Sequence, residues 1–515
     1  MADTKREIER KFEFEAGKNG RKASKKARRL PDLVGTAEIA AAEPQGTVDL
    51  DAVYYDTPDR RLAADGLTLR RRTGGSDAGW HLKLPVSPGV RDEITAPLAD
   101  TVPRALAALV RSRVRDGALE PLVRLRSSRD VVHLLDAGGR LLAELSTDAV
   151  LAERTVDPPA TARWTEVEVE LADDVAPGLL DAVEEEFRKA GLHPSDAPSK
   201  LARALAETSP PAEPALEPAP PGTAGAHVLA YLRAQVDALV AQDPAVRRNL
   251  PDSVHQMRVA TRRLRSAFKT YGKVLDRTVT DPIGEELRWL AAELGVDRDQ
   301  EVLMDRLGTR IGELPHTLLL GPVRGRLRTW NAARRSGSRR RALAALDSRR
   351  YLTLLGDLDA LLAEPPLRAG AAKDPGKELP RAVLRDYDRL AGKVSAALEM
   401  PAGHERDLAL HDARKAAKRA RYAAESAVPA LGRPAKRVAK EMKAVQTLLG
   451  DHQDAVVARG ALRDLAVQAT AAHEPGFTWG LLYGREEALA EARERELPDL
   501  WERASRPGLR AALSP

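Results

Sequence analysis

A proline- and alanine-rich run, SPPAEPALEPAPPGTAG over residues 209–225, separates two segments whose hydrophobic patterns belong to different fold classes. The run has no periodic apolar positions, so we expect a semi-rigid, extended linker over residues 208–225. Before it, apolar residues alternate with period two; after it, they recur with period 3.6. The chain is therefore predicted to be an α+β multidomain protein, with a β-rich domain over 1–207 and an all-α domain over 226–510.

Composition limits the chemistry that this chain can perform. Cysteine is absent, which excludes disulfides, thiol nucleophiles and thiolate metal sites. Any metal would be held by carboxylates, histidines and substrate oxygens, which favours Mg²⁺ or Mn²⁺. No run of about 18 uncharged apolar residues is present, and the charged N-terminus is unlike a signal peptide. We therefore expect a cytoplasmic protein without a membrane partner.

Charged side chains in the first segment fall on one face of each predicted strand and segregate by sign. Glu7, Glu9 and Lys11 share a face of the first strand, because side chains alternate across a strand. The last long strand offers carboxylates on one face, and the middle strands offer cations. These charges are Glu166, Glu168 and Glu170 on the last strand, and Arg70, Arg72, His81, Lys83, Arg124 and Arg126 on the middle strands.

Two interpretations of these charged faces are open. A sheet that is packed on one side and solvated on the other also carries charged faces. A solvated face, however, usually mixes both signs, and three glutamates in a row repel each other unless cations lie between them. The segregation therefore favours faces that point into a shared lumen. There the carboxylates would bind a divalent metal, and the cations would bind a polyanion bridged to it.

The order of these motifs resembles the CYTH family of triphosphate tunnel metalloenzymes. Glu7-x-Glu9-x-Lys11 is similar to the family's ExExK signature, and the match continues to Ser199-Lys200. The resemblance implies an antiparallel eight-stranded β-tunnel, open at both ends and flanked by helices, that acts with Mg²⁺ or Mn²⁺. It implies catalytic roles for Glu9, Lys11 and Glu168, metal ligands at Glu7, Glu9, Glu168 and Glu170, and phosphate-binding residues at Arg70, Arg72, Lys83, Arg124, Arg126 and Lys200.

The second segment contains an internal repeat with a basic stripe in each copy. The spacing of three, four and three residues keeps the repeated side chains on one side of a helix. Leu294-Gly295 and Leu449-Gly450 form a second repeated pair. We predict two copies of one helical unit, packed as pseudo-symmetric bundles. The stripe residues are His255, Arg258, Arg262 and Arg265 in the first copy, and His411, Arg414, Lys418 and Arg421 in the second.

The basic stripes favour a bound anion over packing. Like charges at these spacings destabilise an isolated helix by a few tenths of a kcal/mol per pair, about 0.2–0.5. A solvated helix face is the usual alternative. The histidines are not expected to bind metal, because neither has a second histidine at ligand spacing. Nucleic acid is disfavoured, because only 4% of residues are aromatic and none interleave with the stripes.

The stripes resemble the CHAD domain, the conserved histidine α-helical domain that is often fused to CYTH. The resemblance rests on His255-x-x-Arg258 and His411-x-x-Arg414 with the cations that follow each of them. It implies that inorganic polyphosphate binds in a basic cleft between two helical bundles. The residues that it assigns to this site are His255, Arg258, Arg262, Arg263, Arg265, Lys269, His411, Arg414, Lys415, Lys418, Arg419 and Arg421.

The leading hypothesis is a metal-dependent hydrolase of inorganic triphosphate whose helical domain captures polyphosphate, in the cytoplasm or at polyphosphate granules. One alternative is a non-catalytic polyphosphate-binding protein that is targeted to granules. Another is a different tunnel activity on an organic triphosphate, such as thiamine triphosphatase or adenylate cyclase. The sequence does not identify protein partners, the oligomeric state or the coupling between the domains.

Overall fold

The computed structural model describes residues 3–14, 30–156, 158–208, 219–334 and 337–513. Contacts between Cα atoms divide the chain into two compact units, residues 1–214 and 215–515. Most of the predicted linker, residues 209–218, lies outside the described residues, and its two ends are helical, since one helix ends at Thr208 and the next begins at Ala224. Within the described residues, no helix combines the length and the hydrophobicity that crossing a membrane requires.

The first unit is a closed barrel of eight antiparallel strands, which confirms the predicted tunnel fold. Strand β1 (Asp3–Phe14) closes it, pairing with β5 through its first half and with β8 through its second. The order around the barrel is β1-β5-β4-β3-β2-β6-β7-β8. A short strand β9 pairs antiparallel with the last residues of β1. The other elements are β2 Ala41–Asp56, α1 Arg61–Ala64, β3 Thr68–Thr73, β4 Gly79–Ser87, β5 Val90–Ala96, α2 Arg104–Val114, β6 Glu120–Leu135, β7 Leu141–Arg154, β8 Thr161–Leu171, α3 Gly178–Lys189, β9 Leu192–Pro194 and α4 Lys200–Thr208.

Barrel closure explains the segregated charges of the strands. In the β1–β8 pair, Glu9 lies opposite Glu170 and Lys11 lies opposite Glu168. These side chains face inward together, because residues directly opposite each other in a ladder share a face. Glu9 is only 8% exposed, and Glu7 and Glu168 are also buried. The carboxylates therefore line an interior, and the interpretation as a solvated face is wrong for these strands.

One end of the barrel interior is apolar and is packed by helix α4. Leu201, Ala204 and Leu205 of α4 form one buried cluster with Val123 of β6, Val150 of β7 and other inward-facing residues. Burial of these side chains removes apolar surface from water on both sides of the contact. Helix α4 therefore covers this end, where the resemblance implies an opening, and the polar lumen occupies the rest of the barrel.

Strand β2 shows no clear alternation in the sequence, yet it forms the longest pairing of the barrel. Its first half is exposed, and a register shift with β6 lies between Pro44 and Gly46. Proline and glycine are uncommon inside strands, so Pro44 and Gly46 make this segment of the sequence unlike a strand. The strand forms because β6 pairs with it from Ala41 to Asp56. Tertiary pairing thus overrides a weak local preference.

The second unit is all α-helical, as predicted. Helices α6 and α13, which carry the two basic stripes, pack against each other. A large hydrophobic cluster joins α5–α7 with α10–α14, and a smaller one joins α8, α9, α14 and α15. The helices are α5 Ala224–Arg247, α6 Ser253–Thr270, α7 Arg277–Glu293, α8 Gly295–Gly312, α9 Val323–Arg334, α10 Ser338–Asp347, α11 Arg349–Ala363, α12 Pro375–Glu399, α13 His404–Leu431, α14 Arg433–Ala471, α15 Phe477–Ala504 and α16 Pro507–Ala511.

Local capping fixes where several of these helices begin. The Asp276 carboxylate accepts a hydrogen bond from the Thr278 amide at 2.9 Å, and α7 begins after it. Ser348 caps α11 in the same way, accepting from the Tyr351 amide at 3.2 Å. Each cap satisfies an amide that has no partner inside its helix. Between α13 and α14, Gly432 takes a φ of 62°, which separates the two helices by one residue.

The internal repeat is visible in the packing of arginine on glycine. The Arg258 guanidinium lies 2.9 Å from the position that a Cβ on Gly295 would take, and Arg414 lies 3.6 Å from the same position on Gly450. The repeated glycines thus leave room for the repeated arginines. Gly450 is an interior residue of α14, although glycine is the usual residue at a helix end. A single interior glycine costs only about 1 kcal/mol, so the helix continues through it.

The closure strand should be sensitive to the loss of its buried aromatic residue. Phe12 is fully buried and packs edge-on against Phe187, with ring centroids 4.8 Å apart. Phe12→Ala should lower the free energy of unfolding of the barrel by about 3–5 kcal/mol, measured by hydrogen exchange of barrel amides. Val86→Ala is the control, because Val86 is 49% exposed. Equal effects of the two variants would contradict this account of the core.

Candidate active site and polyanion cleft

The barrel encloses a polar cavity, called the lumen here, with a volume of about 290 Å³. Among the described residues, none that line it is aliphatic. Eight lysines and arginines face seven carboxylates, so the formal charges nearly cancel. The cations are Lys5, Lys11, Arg70, Arg72, Lys83, Arg91, Arg129 and Lys200, and the carboxylates are those of Glu7, Glu9, Asp77, Glu93, Glu144, Glu168 and Glu170.

Lys200 enters the lumen from the first turn of α4. Ser199 precedes the helix, and its hydroxyl accepts a hydrogen bond from the Ala202 amide at 3.1 Å. The Lys200 ammonium lies 3.0 Å from Asp148, 2.7 Å from Glu166 and 2.6 Å from Glu168. Burial opposes its charge, but Glu168 and the two neighbouring carboxylates outweigh burial and raise the pKa of Lys200. Lys200 is therefore a cation held between carboxylates.

Glu168 is the point at which three lumen cations meet. Its carboxylate accepts hydrogen bonds from Lys11 and, at 3.0 Å, from Arg129, and it also contacts Lys200. Burial disfavours its charge, but Lys11 and Lys200 outweigh burial and hold the pKa of Glu168 well below its usual range. Lys11 also lies 3.0 Å from Glu9. This arrangement keeps Glu168 ionised, a state suited to binding a cation.

The opposite side of the lumen is built by β1, β3, β4 and β5. Lys83 lies 2.6 Å from Glu7, and burial raises the pKa of the Glu7 carboxyl to about 7 despite this contact. Arg70 donates a hydrogen bond to the Tyr54 hydroxyl at 3.3 Å and lies 3.7 Å from Glu93. The lumen therefore holds two groups of cations, called the two banks here, and each is paired with carboxylates. One bank is Lys11, Arg129 and Lys200, and the other is Arg70, Arg72 and Lys83.

Arg124 and Arg126 do not line the lumen, which corrects the expectation that they point into it with the other cations. Arg124 pairs with Asp51 at 2.5 Å and Arg126 with Glu153 at 3.3 Å, and both side chains are more than a third exposed. On β6 the inward residues have odd numbers, and the inward cation is Arg129. The sequence pattern could not reveal this, because alternating arginines on an outer face look the same as arginines in a lumen.

A group of three buried carboxylates could hold a divalent metal. Ligand atoms of Asp148, Glu166 and Glu168 all lie within 4.8 Å of one another. Asp148 lies opposite Glu166 in the β7–β8 ladder, and Glu166 shares its face with Glu168. Oxygen donors of this kind suit Mg²⁺ or Mn²⁺, and all three carboxylates contact the Lys200 ammonium. The donor set therefore fits a hard divalent ion.

The predicted metal ligands overlap this group only in part. Glu168 belongs to it, whereas Glu7, Glu9 and Glu170 line the lumen at other positions. Their roles as ligands stay a prediction. Asp148 was missed by sequence reasoning, because a single aspartate among apolar and small residues of β7 gives no pattern. Glu166 shows the expected alternation, but the resemblance does not assign it a metal.

The second unit holds a basic cleft, called the cleft here, with a volume of about 1060 Å³. Of the residues that the structure describes, eleven lysines and arginines line it, against two aspartates, Asp412 and Asp454. The facing helices α6 and α13 supply most of these cations. The predicted residues that line the cleft are His255, Arg258, Arg262, Arg265, Lys269, His411, Arg414, Lys415, Lys418 and Arg419.

Arg263 and Arg421 lie outside the cleft, which corrects their assignment to it. Both contact Glu425, at 3.3 Å and 2.6 Å, and both lie over the Tyr422 ring at 5.6 Å and 5.5 Å. Consecutive residues of a helix point about 100° apart, so Arg263 cannot share the stripe of Arg262. Arg263 of α6 thus contacts α13 through Glu425, whereas Arg421 contacts Glu425 within α13 and donates a hydrogen bond to Gln446 of α14 at 3.3 Å.

Three cleft cations come from helices without a basic stripe. Arg306 of α8, and Arg389 and Lys393 of α12, face the same cavity. Arg306 is held by Glu486, a buried residue of α15, through hydrogen bonds of 3.0 Å and 2.5 Å. Sequence reasoning missed these residues, because nothing in their local pattern distinguishes them from solvated cations. They extend the positive surface beyond the two repeated helices.

Like charges crowd one another in the cleft. Burial and the nearby guanidiniums of Arg288 and Arg262 lower the pKa of Arg265. Burial, together with Arg265, also lowers the pKa of Lys269. Both shifts mean that the local surroundings disfavour these positive charges, which a bound anion would relieve. The cleft therefore has the electrostatics of an anion-binding surface.

Comparison with known proteins identifies a family for each of the two units. The CYTH domain family matches residues 5–205, and the CHAD domain family matches residues 230–463. An uncharacterised protein of Mycobacterium tuberculosis, Rv2226, is 40% identical over 482 residues, which cover 91% of this chain and 92% of that protein.

Two solved structures are similar to part of the chain. PptA from Streptomyces chartreusis has 22% sequence identity and a TM-score of 0.45, covering 54% of this chain and 99% of that one. The CHAD domain from the plant Ricinus communis has 26% identity and a TM-score of 0.42, covering 59% of this chain and 96% of that one. From the two family matches and the full-length relative, the chain belongs to the proteins in which a CYTH domain precedes a CHAD domain.

Proposed function

We propose that the lumen hydrolyses inorganic triphosphate to diphosphate and orthophosphate with a divalent metal, and that the cleft binds inorganic polyphosphate. Members of the CYTH family bind triphosphate substrates and act as triphosphatases or cyclases, and the tunnel enzymes among them depend on metal. The observation that carries the proposal is the wholly polar lumen, in which two banks of cations face a group of buried carboxylates.

The lining of the lumen favours an inorganic substrate over an organic triphosphate. Tyr54 is the one aromatic residue among the described residues that line it, and no aliphatic side chain joins it. Sites for organic ligands are mostly apolar and usually exceed about 300 Å³. The described lining of the lumen, at about 290 Å³, offers no aliphatic side chain and no aromatic ring besides Tyr54 to pack on an adenine or thiamine ring. This favours a triphosphatase over an adenylate cyclase or a thiamine triphosphatase.

The charge balance of the lumen supports the need for a metal. Because eight cations already face seven carboxylates, a triphosphate would bring several uncompensated negative charges. Asp148, Glu166 and Glu168, with Glu9 nearby, would hold the ion. When bound, Mg²⁺ or Mn²⁺ would neutralise phosphate charge and make a bound water more acidic. The near-neutral lumen would then accept the anion at little electrostatic cost.

The protein's own residues would act by positioning and charge neutralisation. Lys11, Arg129 and Lys200 would exchange contacts with Glu168 for contacts with phosphate oxygens. Arg70, Arg72 and Lys83 would hold the triphosphate from the other bank. Cations fixed by the barrel stabilise charge that develops on the departing diphosphate without reorganising, which is the main demand of phosphoryl transfer.

The cleft supports binding of a long anion. Its eleven cations and two aspartates leave a large positive excess, and crowding lowers the pKa of Arg265 and Lys269. Tyr422 is the one aromatic residue among the described lining residues, and its ring already contacts two arginines. The cleft thus lacks free rings on which bases stack, which favours polyphosphate over nucleic acid. Such binding would localise the protein to polyphosphate granules in the cytoplasm.

Turnover of tripolyphosphate tests the hydrolase directly. We expect release of orthophosphate from tripolyphosphate with Mg²⁺ or Mn²⁺, and much less from ATP or thiamine triphosphate. Glu168→Gln should lower kcat by roughly a hundredfold or more, because it removes the charge that gathers three cations and belongs to the metal group. An absence of release from every substrate would contradict the hydrolase and favour a non-catalytic polyphosphate-binding protein.

The same assay separates the lumen from the outer face of the barrel. Arg129→Gln should lower kcat/KM roughly tenfold or more, because Arg129 contacts Glu168 inside the lumen. Arg124→Gln is the matched control on the same strand, and it should change kcat/KM less than about twofold, because its exposed ion pair with Asp51 lies outside. A large loss in the Arg124 variant would contradict this placement.

Neighbouring arginines of α6 provide the test for the cleft. Arg262→Ala with Arg265→Ala should weaken binding of long-chain polyphosphate about fivefold or more, because both side chains line the cleft. Arg263→Ala should change the affinity less than about twofold, since its guanidinium lies behind the cleft beside Glu425. Calorimetry at a fixed salt concentration measures both. Equal losses in the two variants would mean that polyphosphate binds elsewhere.

A further inference from the structure

The turn between β3 and β4 carries Asp77, whose carboxylate contacts Arg72, one of the cations that line the lumen. Asp77 lies in this turn, which also contains Gly74 and Gly75 with φ of 83° and 73°. The Asp77 carboxylate forms an ion pair with Arg72, and its backbone carbonyl lies 2.9 Å from Nε2 of His81. The Asp77 side chain is 53% exposed, whereas that of Arg72 is 7% exposed. A solvent-accessible acid thus reaches a buried guanidinium.

Arg72 lies where a positive charge is costly without an anion. Burial and the neighbouring cations Arg70 and Arg129 lower its pKa to about 9. Its Nε is buried and has no hydrogen-bond partner among the described residues. A guanidinium has five donors in a fixed fork, and Asp77 uses only part of this capacity. Arg72 is therefore prepared for an anion larger than one carboxylate.

We propose that Asp77 competes with phosphate for Arg72 and thereby determines which phosphate compounds the lumen retains. The inference rests on the proposed function. A tethered carboxylate acts at an effective concentration on the order of millimolar. Triphosphate contacts both banks of cations at once and displaces the Asp77 carboxylate from Arg72. Diphosphate and orthophosphate contact fewer cations and displace it less well, so the return of Asp77 to Arg72 favours release of the products.

A second ion pair of the barrel shows what a purely structural pair would do. Asp65 pairs with Arg113 at 2.7 Å, and the two side chains are 46% and 9% exposed, much like Asp77 and Arg72. Neither Asp65 nor Arg113 lines the lumen. Removing the charge of Asp65 therefore gives a control for stability and for net charge, without a change inside the lumen.

Calorimetric titration with diphosphate in the presence of Mg²⁺ tests the proposal, because diphosphate is a product and is not consumed. Asp77→Asn should bind diphosphate roughly threefold to tenfold tighter than the wild type, whereas Asp65→Asn should bind it as the wild type does. In an Arg72→Gln background, Asp77→Asn should have no further effect. Steady-state kinetics should show stronger inhibition by diphosphate in Asp77→Asn.

The possible outcomes separate this proposal from the function on which it rests. Unchanged or weaker diphosphate binding in Asp77→Asn, with an unfolding midpoint like that of the wild type, would overturn the competition. Asp77→Ser gives the same test if the asparagine variant folds poorly. A wild-type protein that binds neither diphosphate nor tripolyphosphate would overturn the proposed function, and this inference with it.

Discussion

The contact between Glu168 and its three cations is the interaction on which the lumen depends. It exists because β1 closes the barrel and sets Lys11 opposite Glu168, while α4 delivers Lys200 from the covered end. Buried charges of this kind are stable only when partners surround them. In the proposed function, the cations that would bind phosphate are held, before phosphate arrives, by the carboxylates that would bind the metal. Phosphate would draw the cations away from the carboxylates and so free them for the metal, and the metal would free the cations for phosphate in the same way. We therefore expect the binding of phosphate and the binding of metal to be coupled.

Both units hold many cations close together, but they differ in how far carboxylates balance these charges. The lumen balances eight cations with seven carboxylates and is nearly neutral. The cleft leaves eleven cations against two aspartates, and burial with neighbouring cations lowers the pKa of Arg265 and Lys269. In the proposed function, the balanced lumen would favour a ligand that arrives with its own counter-ion, whereas the unbalanced cleft would bind a long polyanion such as polyphosphate. This difference is in keeping with the two proposed roles, hydrolysis in the lumen and polyphosphate binding in the cleft.

Strand alternation predicted most of the lumen, because in a closed barrel one face of every strand points inward. It failed on β6, where Arg124 and Arg126 alternate on the outer face with Asp51 and Glu153 as partners. Single residues outside any pattern, such as Asp148 and Asp77, could not be predicted, since only the β7–β8 ladder sets Asp148 opposite Glu166 and only the turn brings Asp77 to Arg72.

Helical periodicity predicted the cleft residues of α6 and α13 but not those that other helices contribute. The repeated stripes place His255 and His411 in one cavity, together with eight of the other predicted cations. Arg306 and Arg389 are contributed by α8 and α12, and only tertiary packing makes them neighbours of the stripes. The pseudo-symmetric packing of two bundles stays a prediction, although Arg258 on Gly295 and Arg414 on Gly450 repeat the same contact.

Binding of Mn²⁺, followed by electron paramagnetic resonance with and without diphosphate, tests the central claim most directly. If lumen cations occupy the carboxylates until phosphate draws them away, Mn²⁺ should bind the protein alone weakly. Diphosphate should then tighten Mn²⁺ binding by about tenfold or more, and Glu168→Gln should abolish this gain. Equally tight Mn²⁺ binding with and without diphosphate would contradict the account.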